Sequence, residues 1–594
     1  MPSRVIQLRV ILLTILLSLG ICFGSDLDIR EKIMLGKANS AAGANSIVAA
    51  LQECAGFIAN NPKNPSTRRP YELMMREAQD AAVRHVSPEA QKVYAAVLPR
   101  LSAESIVSLC YAMKAVAASP DVDAAATKML VPGIDFRVRT GLIELLGAHH
   151  YGPAVDKIAV GLDPVAPASI QIAACRALAT IPDKKSVPAL IKYMLALSPG
   201  KGGRFLYEAT GALRTLTGQT IVANALEWKK WWEPHQKEFG FDGTKVLEPD
   251  YNYELSEKQE IEYYEVPVVE NRLVIVLDTS GSMEMGGRPN RIESAKIAMK
   301  AFVKSLPEKT LFNIVAFSQN VRRWRKDVPL LAATEANKKE AVRFIDSQTA
   351  NGGTQTTLAM EEVLRDIAVV NGCETVYLVT DGNPNPIGNI NADQQEQLIT
   401  WINQSLKIRI NTIGIYSTVP ADEKFMAAHG FKEDLDKMKK FLYDLSSNND
   451  GVYREVGKDG TNTVVKVEPK KEKMMKDKDD KDKMDKVAKE KLEKEKLEKE
   501  AADRVAKEKP GTKPDPVDKS KPVQPEKSET EIDITGLLKK PDAKKAEDSK
   551  PEDRKPDDKK AAPTQADEAI ISERKKDDSK TDVPNAPKKP NPFE

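Results

Sequence analysis

Between residues 271 and 457, short apolar runs alternate with amphipathic helical stretches. Residues 273–277 form a continuous apolar run, as in a strand buried on both faces. The pattern predicts further strands at 312–317, 321–326, 375–380, 409–416 and 451–456, and helices at 291–305, 335–346, 357–367, 393–406 and 435–445. Strands that alternate with helices predict a doubly wound, Rossmann-like α/β domain with a mostly parallel sheet.

Polar residues stand where these predicted strands end. The first strand leads into D-T-S-G-S (278–282), a later loop carries G-G-T (352–354), and the strand at 375–380 leads into T-D-G (380–382). Ligands of such sheets bind outside the carboxyl ends of the strands, so these segments can converge. Their carboxylate and hydroxyl oxygens suit Mg²⁺, Mn²⁺ or Ca²⁺ better than zinc. Two carboxylates and three hydroxyls from these three loops can therefore meet at one point.

These three elements, in this order, resemble the von Willebrand factor type A family and its metal-ion-dependent adhesion site. The resemblance covers residues 271–456. All five positions of that site are matched, so the resemblance implies the metal ligands Asp278, Ser280, Ser282, Thr354 and Asp381. It implies that the two serines and sometimes the threonine bind the metal directly, while the aspartates act partly through water. It also implies that the cation docks a carboxylate of a partner protein. We therefore expect a binding module and not an enzyme.

Residues 25–240 are rich in Ala and Leu at helical spacing, with little strand signal. Ile143, Leu178 and Leu213 recur 35 residues apart, and Leu146, Ile181 and Leu216 recur at the next position of the same stripe. Pro153 and Pro188 can each open a second helix. Two helices per repeat are typical of a solenoid, and this stretch resembles HEAT-type repeats.

Trp228, Trp231 and Trp232 share one face of the last predicted helix. We interpret them as a cap on the open apolar end of the solenoid, with a ligand-binding aromatic patch as the alternative. His149 and His150 lie in a predicted turn, where we expect solvated side chains without a metal role. Cys54, Cys110 and Cys175 lie within helical patterns, which favours small buried thiols.

Three segments are predicted to lie outside these two domains. Residues 1–24 have two arginines before a short apolar run, as in a secretory signal peptide, with an uncleaved membrane anchor as the alternative. Residues 241–270 are predicted to be a linker. In residues 458–594, charged side chains are abundant and aromatic ones almost absent, so we expect disorder, with a Lys/Glu-rich helix at 483–507.

The predicted protein is multidomain: an all-α HEAT-like solenoid, a type A domain and a disordered tail. We expect it to be secreted, periplasmic or on the cell surface of a bacterial-type cell. There it would bind a protein that presents an Asp or Glu carboxylate, with the solenoid as a second binding surface. Two alternatives are RNA binding, since the Ro family also joins helical repeats to a type A domain, and metal-assisted hydrolysis. The net charge of +2 argues against a nucleic acid partner.

Overall fold

A computed structural model describes residues 23–37, 39–197, 203–241, 261–286, 289–382, 384–416, 432–456 and 462–463. The apolar run of the predicted signal peptide, most of the predicted linker and nearly all of the predicted disordered segment lie outside these residues, so those three assignments remain predictions. None of the helices in the described part is both long and apolar enough to cross a membrane.

The first part of the chain is helical, as predicted. Side-chain oxygens of Ser40, Asn64, Ser87, Ser102 and Asn224 accept hydrogen bonds from backbone amides of the helices that they precede. The helices are α1 (Phe23–Leu35), α2 (Ala41–Asn60), α3 (Pro65–Arg84), α4 (Pro88–Val97), α5 (Ala103–Lys114), α6 (Pro120–Met129), α7 (Phe136–Ala148), α8 (Val155–Ala159), α9 (Ala168–Thr180), α10 (Ser186–Ala196), α11 (Gly203–Thr217) and α12 (Ala225–His235).

From α4 onward these helices form two layers. In an inner layer α5, α7, α9 and α11 pack in succession, and α4, α6, α8, α10 and α12 form the outer layer. Ile143, Leu178 and Leu213 are all fully buried between the layers. The repeat read from the sequence is therefore the inner-layer contact of a helical solenoid.

The tryptophans of the predicted cap are buried, as expected, but one histidine of the predicted turn is not solvated. Trp228 is fully buried and Trp232 nearly so, and their helix α12 packs on α10. The prediction that His149 is solvated was wrong. Its ring lies between two acceptors, with Nδ1 2.5 Å from Asp123 Oδ1 and Nε2 2.9 Å from the carbonyl oxygen of Met113. The acceptors are supplied by α6 and α5, which the turn brings against the ring.

The second part is an α/β domain, as predicted. Its strands are β1 (Glu262–Tyr263), β2 (Val266–Pro267), β3 (Arg272–Asp278), β4 (Leu311–Phe317), β5 (Val321–Arg323), β6 (Leu331–Ala332), β7 (Thr375–Thr380), β8 (Arg409–Ile415), β9 (Tyr453–Val456) and β10 (Asn462–Thr463). The large sheet has the order β10-β9-β8-β7-β3-β4-β5, with β6 also paired to β4. Strands β3, β4, β7, β8 and β9 are parallel, and the strand order reverses between β3 and β7.

Helices cover this sheet: α13 (Arg291–Ser305), α14 (Glu335–Asp346), α15 (Thr356–Glu361), α16 (Ala368–Asn371), α17 (Ala392–Asn403) and α18 (Lys432–Ser447). A capping box of Asn290 and Glu293 begins α13, as the sequence predicts. The helix predicted at 357–367 is interrupted, because a π-helical turn (Glu362–Ile367) separates α15 from α16. Strands β1 and β2 form a hairpin within the predicted linker, and Tyr263 stacks on Phe302 with ring centroids 4.3 Å apart.

The inner layer of the solenoid lies against the α/β domain. Tyr111 on α5 donates a hydrogen bond to the carbonyl oxygen of Gln404, and Glu144 on α7 pairs with Lys407 at 2.6 Å. Arg176 on α9 pairs with Asp450 at 2.8 Å. Inner-layer residues of the helical region therefore contact the α/β domain, and the expectation that the solenoid is a second binding surface stays a prediction.

Candidate metal centre

The candidate site lies at the carboxyl end of the sheet, where the strand order reverses. Asp278 is the last residue of β3, and Asp381 directly follows β7, the strand that pairs with β3. A 3₁₀ turn (Gly281–Glu284) after β3 carries Ser282, and Ser280 precedes that turn. This is the crevice in which doubly wound sheets bind their ligands.

Hydrogen bonds join four of the five predicted ligands. The backbone amide of Ser280 donates to Asp278 Oδ1 at 2.7 Å. The hydroxyl oxygens of Ser280 and Ser282 are 3.1 Å apart, and the Ser282 hydroxyl donates to Asp381 Oδ1 at 2.8 Å. The two strand ends thus meet through the serine side chains.

Thr354 is brought to the same place by backbone contacts of its loop. The amide of Gly281 donates to the carbonyl oxygen of Gly352 at 2.9 Å, and the amide of Asn385 donates to that of Thr354 at 2.8 Å. Thr354 is buried, and no hydrogen bond links its hydroxyl to the other four predicted ligands in the described part of the chain. Gly352 has a φ of +84°, a backbone conformation that favours glycine, whereas a Cβ on Gly353 would lie 2.4 Å from Asn385 Nδ2 and would displace that side chain.

The two carboxylates have different surroundings. Asp278 is fully buried, and its hydrogen-bond donors are the Thr380 hydroxyl and the Ser280 amide. Burial, together with the nearby charge of Asp381, raises the pKa of Asp278 to about 7. Asp381 is paired with a basic side chain, since Arg291 Nη1 lies 2.6 Å from its Oδ2. Burial still raises the pKa of Asp381 above its ordinary value, and Arg291 opposes that rise.

Two residues of the site were not singled out from the sequence. Thr380 orients Asp278, and its place in the T-D-G motif is a signal that could have identified it. Arg291, the first residue of α13, also donates to the carbonyl oxygen of Ser282 at 3.4 Å. Its position 90 residues before Asp381 gives no local pattern that predicts this contact.

The donor set fits a hard divalent cation. Two carboxylates and three hydroxyls are oxygen ligands of the kind that Mg²⁺, Mn²⁺ and Ca²⁺ take. A buried carboxylate without a basic partner is costly, and a cation beside Asp278 would compensate it. Among the described residues no cluster of three or more His, Cys, Asp or Glu side chains could hold a metal, so a zinc-type site is not found there.

The surroundings contain few groups suited to catalysis. The four histidines in the described residues, His85, His149, His150 and His235, all belong to the helical region. The free cysteines described, Cys54, Cys110, Cys175 and Cys373, are buried, as predicted for those of the helices. Glu284, beside the site, is exposed to solvent. The described histidines therefore lie outside the domain that carries the candidate site.

Comparison with known sequences agrees with the resemblance seen in the motifs. Residues 271–427 match the von Willebrand factor type A domain family. The human inter-alpha-trypsin inhibitor heavy chain H2 is 27% identical over 213 residues, which are 34% of this chain and 19% of that protein. A von Willebrand factor A domain-containing protein of Dictyostelium discoideum is 28% identical over 199 residues, 32% of this chain and 9% of that protein. The chain thus spans a fifth or less of the length of these relatives.

Solved structures give a similar list. A von Willebrand factor type A protein from Catenulispora acidiphila is 20% identical, with a TM-score of 0.24, over 32% of this chain and 39% of that one. The manganese-loaded TRAP protein of Plasmodium vivax is 19% identical, with a TM-score of 0.21, over 29% of this chain and 72% of that one.

Proposed function

Because residues 271–427 form a von Willebrand factor type A domain, we propose that this chain binds a partner protein through a divalent cation. The residues that would hold the cation are Asp278, Ser280, Ser282, Thr354 and Asp381. When bound, the cation supplies an open coordination position for a carboxylate of the partner, an Asp or Glu side chain. The observation that carries this proposal is the convergence of these side chains around Asp278, a buried carboxylate with no basic side chain among its hydrogen-bond donors.

The side chains of the chain itself have distinct tasks in this proposal. The Thr380 hydroxyl and the Ser280 amide orient Asp278, and Ser282 connects the β3 turn to Asp381. With the aspartates acting partly through water, as the family resemblance implies, the ligands that bind the cation directly are neutral hydroxyls, which favours an anionic partner group. Mg²⁺ suits this task because it keeps several waters that a carboxylate can replace. Mn²⁺ and Ca²⁺ use the same kinds of donor.

We favour binding over catalysis, and protein over RNA. The carboxylates of the site are occupied by hydroxyl, amide and guanidinium donors, and the described histidines and cysteines lie elsewhere. RNA would need a basic inner face on the solenoid. The cations on that face, Lys114, Arg176 and Arg204, are paired with Glu144 and Glu208. An extracytoplasmic location is part of the proposal and is supported by the apolar leader in the sequence.

The direct test is metal-dependent capture. Full-length protein is immobilised, exposed to an extracytoplasmic fraction of its source in Mg²⁺, and washed with Mg²⁺ or a chelator. Asp278→Ala on a parallel column removes an anionic ligand that hydroxyls cannot replace. Asp327→Ala removes an exposed acid elsewhere in the same domain and is the matched control.

We expect one set of proteins on the wild-type and Asp327→Ala columns in Mg²⁺ only. The same proteins should be absent from the Asp278→Ala column. If Asp278→Ala retains them, or chelation does not release them, the proposed site is not the binding site.

A further inference from the structure

A cluster of buried charges connects the helical region to the α/β domain. On α3, Arg68 Nη2 lies 3.1 Å from Glu361 Oε1, and Arg69 Nη2 lies 2.5 Å from Glu361 Oε2. Glu361 is the last residue of α15. All three side chains are nine-tenths or more buried. A buried carboxylate held by two guanidinium groups is strongly restricted in position, because moving it would leave charges unpaired.

A second ion pair crosses the same interface with the charges exchanged. Arg365, in the π-helical turn that follows α15, places Nη2 2.7 Å from Oε1 of Glu72 on α3. Glu72 is almost fully buried and also pairs with Arg68 at 2.9 Å. We call Arg68, Arg69, Glu72, Glu361 and Arg365 the arginine–glutamate cluster. Its ion pairs hold the C-terminal end of α15 against α3 of the helical region.

The other end of α15 leads into the candidate metal site. Thr354 lies two residues before the helix begins, and the six residues of the helix span only about 9 Å. The Thr357 hydroxyl donates to Gln395 Oε1 at 2.6 Å, and Gln395 Nε2 donates to the carbonyl oxygen of Asn385 at 2.9 Å. Asn385 in turn donates its amide to Thr354. One short helix therefore carries the cluster at one end and a candidate metal ligand at the other.

We propose that the helical region sets the metal affinity of the type A domain, with Arg69 and Glu361 as positioning residues that hold Thr354 through α15. This inference rests on the proposed metal site. The π-helical turn directly after Glu361 is a place where the helix changes its register, and Glu361 there makes a contact outside its own helix. The helical region supplies that contact.

Coupling of this kind is reciprocal. If the cluster favours the arrangement of Thr354 that binds the cation, then the cation must favour the docked arrangement of α3 by the same factor. Metal binding should therefore reduce local opening of residues 65–84, although these residues lie in the other domain.

The experiment measures Mn²⁺ binding to the full-length chain by isothermal titration calorimetry, well below the unfolding temperature. Arg69→Met removes one partner of Glu361 and leaves Arg68 in place. Arg365→Met is a milder change of the same cluster, since Arg365 is partly exposed. The matched control is Glu144→Gln, which breaks the Lys407 ion pair across the same interface but at a loop remote in sequence from α15.

We expect the Kd for Mn²⁺ to rise about fivefold or more in Arg69→Met, with a smaller rise in Arg365→Met. The Kd of Glu144→Gln should stay within about twofold of wild type, even if this variant loses as much thermal stability as Arg69→Met. In wild type, Mn²⁺ should slow amide hydrogen exchange of residues 65–84, and Arg69→Met should lose that effect. These three results together support the coupling.

An unchanged Kd in both cluster variants would overturn the coupling, and so would an equal rise in Glu144→Gln. If Arg69→Met does not fold, Arg365→Met and the hydrogen exchange of wild type decide the question. Absence of Mn²⁺ binding to wild type would instead refute the proposed metal site itself, so the two failures can be told apart.

Discussion

At the scale of single residues, the two carboxylates of the candidate site are balanced in different ways. Asp278 has only a hydroxyl and an amide as hydrogen-bond donors, whereas Asp381 already has Arg291 as a counter-ion. A dication between them would compensate Asp278 but would be repelled by Arg291. We therefore expect Arg291 to stabilise the metal-free domain and to lower its affinity for metal.

Arg291→Gln should therefore lower the stability of the metal-free protein and raise its affinity for metal. The variant should lose about 1–3 kcal/mol of unfolding free energy without metal, because Asp381 is left buried without its cation. Its Kd for Mg²⁺ should fall about tenfold, equivalent to about 1.4 kcal/mol. Urea unfolding and calorimetric titration measure the two effects, and Arg325→Gln, a partly exposed arginine of the same domain, should change neither by a comparable amount. Weaker metal binding in Arg291→Gln would mean that Arg291 orients Asp381 for the metal.

A second prediction concerns His149 in the helical region. Burial disfavours the charged ring, but the hydrogen bond to Asp123 outweighs it and raises the pKa above the usual 6.5. Both ring nitrogens face acceptors, so only the doubly protonated ring donates to both. The pair should stabilise the fold fully below about pH 6.5, and this contribution should be lost as pH rises through the folded-state pKa.

The measurement is the free energy of unfolding of wild type and Asp123→Asn between pH 5 and pH 9. The difference should be about 1 kcal/mol or more at pH 5 and should shrink toward pH 9. A difference that grows with pH would show that neutral His149 is the form that Asp123 stabilises.

The site residues differ in how far they could be predicted from sequence. Asp278, Ser280, Ser282 and Asp381 stand in short motifs at strand ends, and the structure joins them by hydrogen bonds. Arg291 could not be predicted, because its contact depends on how the start of α13 is turned toward β7. Which of these residues bind metal remains a prediction.

At the scale of secondary-structure elements, local chemistry decided what could be predicted. The capping box of Asn290 and Glu293 fixes the start of α13, and α14 and β7 have the predicted bounds because apolar periodicity is clear there. The π-helical turn at Glu362–Ile367 was missed, because only four helical residues, Ala368–Asn371, follow it, too few to show the shift in apolar period. The two-residue strand β6 is too short for periodicity to reveal.

The cap of α13 gives a prediction at this scale. Asn290→Ala removes the side-chain oxygen that accepts from the amide of Glu293 at 3.0 Å, so unfolding free energy should fall by about 1 kcal/mol. Asn290→Ser retains an acceptor, so its unfolding free energy should fall by less. Chemical denaturation of the three proteins checks this. Equal loss in both variants would place the role of Asn290 outside capping.

At the scale of the whole molecule, charged side chains within the inner layer join the two domains. Arg204 is fully buried and donates to the carbonyl oxygens of Glu374 at 2.9 Å and Lys407 at 2.7 Å, both in the α/β domain. The sequence predicted a helical region followed by an α/β fold but not their contact, because an Arg on an Ala- and Leu-rich helix is usually solvated. The i, i+4 pair of Arg204 and Glu208 was the available signal.

Replacing this contact should weaken the whole fold. Arg204→Met leaves the Glu208 charge and two carbonyl oxygens with fewer donors in a buried interface, so we expect a loss of about 3–5 kcal/mol. Differential scanning calorimetry should show a lower unfolding temperature for both domains together. If only the helical region is affected, the domains unfold independently and the interface contributes little.

The central claim is that a divalent cation binds at Asp278, and thermal unfolding with Mg²⁺ or a chelator tests it most directly. Wild type should gain about 2.7 kcal/mol at a hundredfold excess of Mg²⁺ over its Kd, and unfold at a correspondingly higher temperature. Asp278→Ala should fold without metal and show no shift, and Ser280→Ala should show a reduced one. No metal-dependent shift in wild type, or a full shift in Asp278→Ala, would contradict the claim.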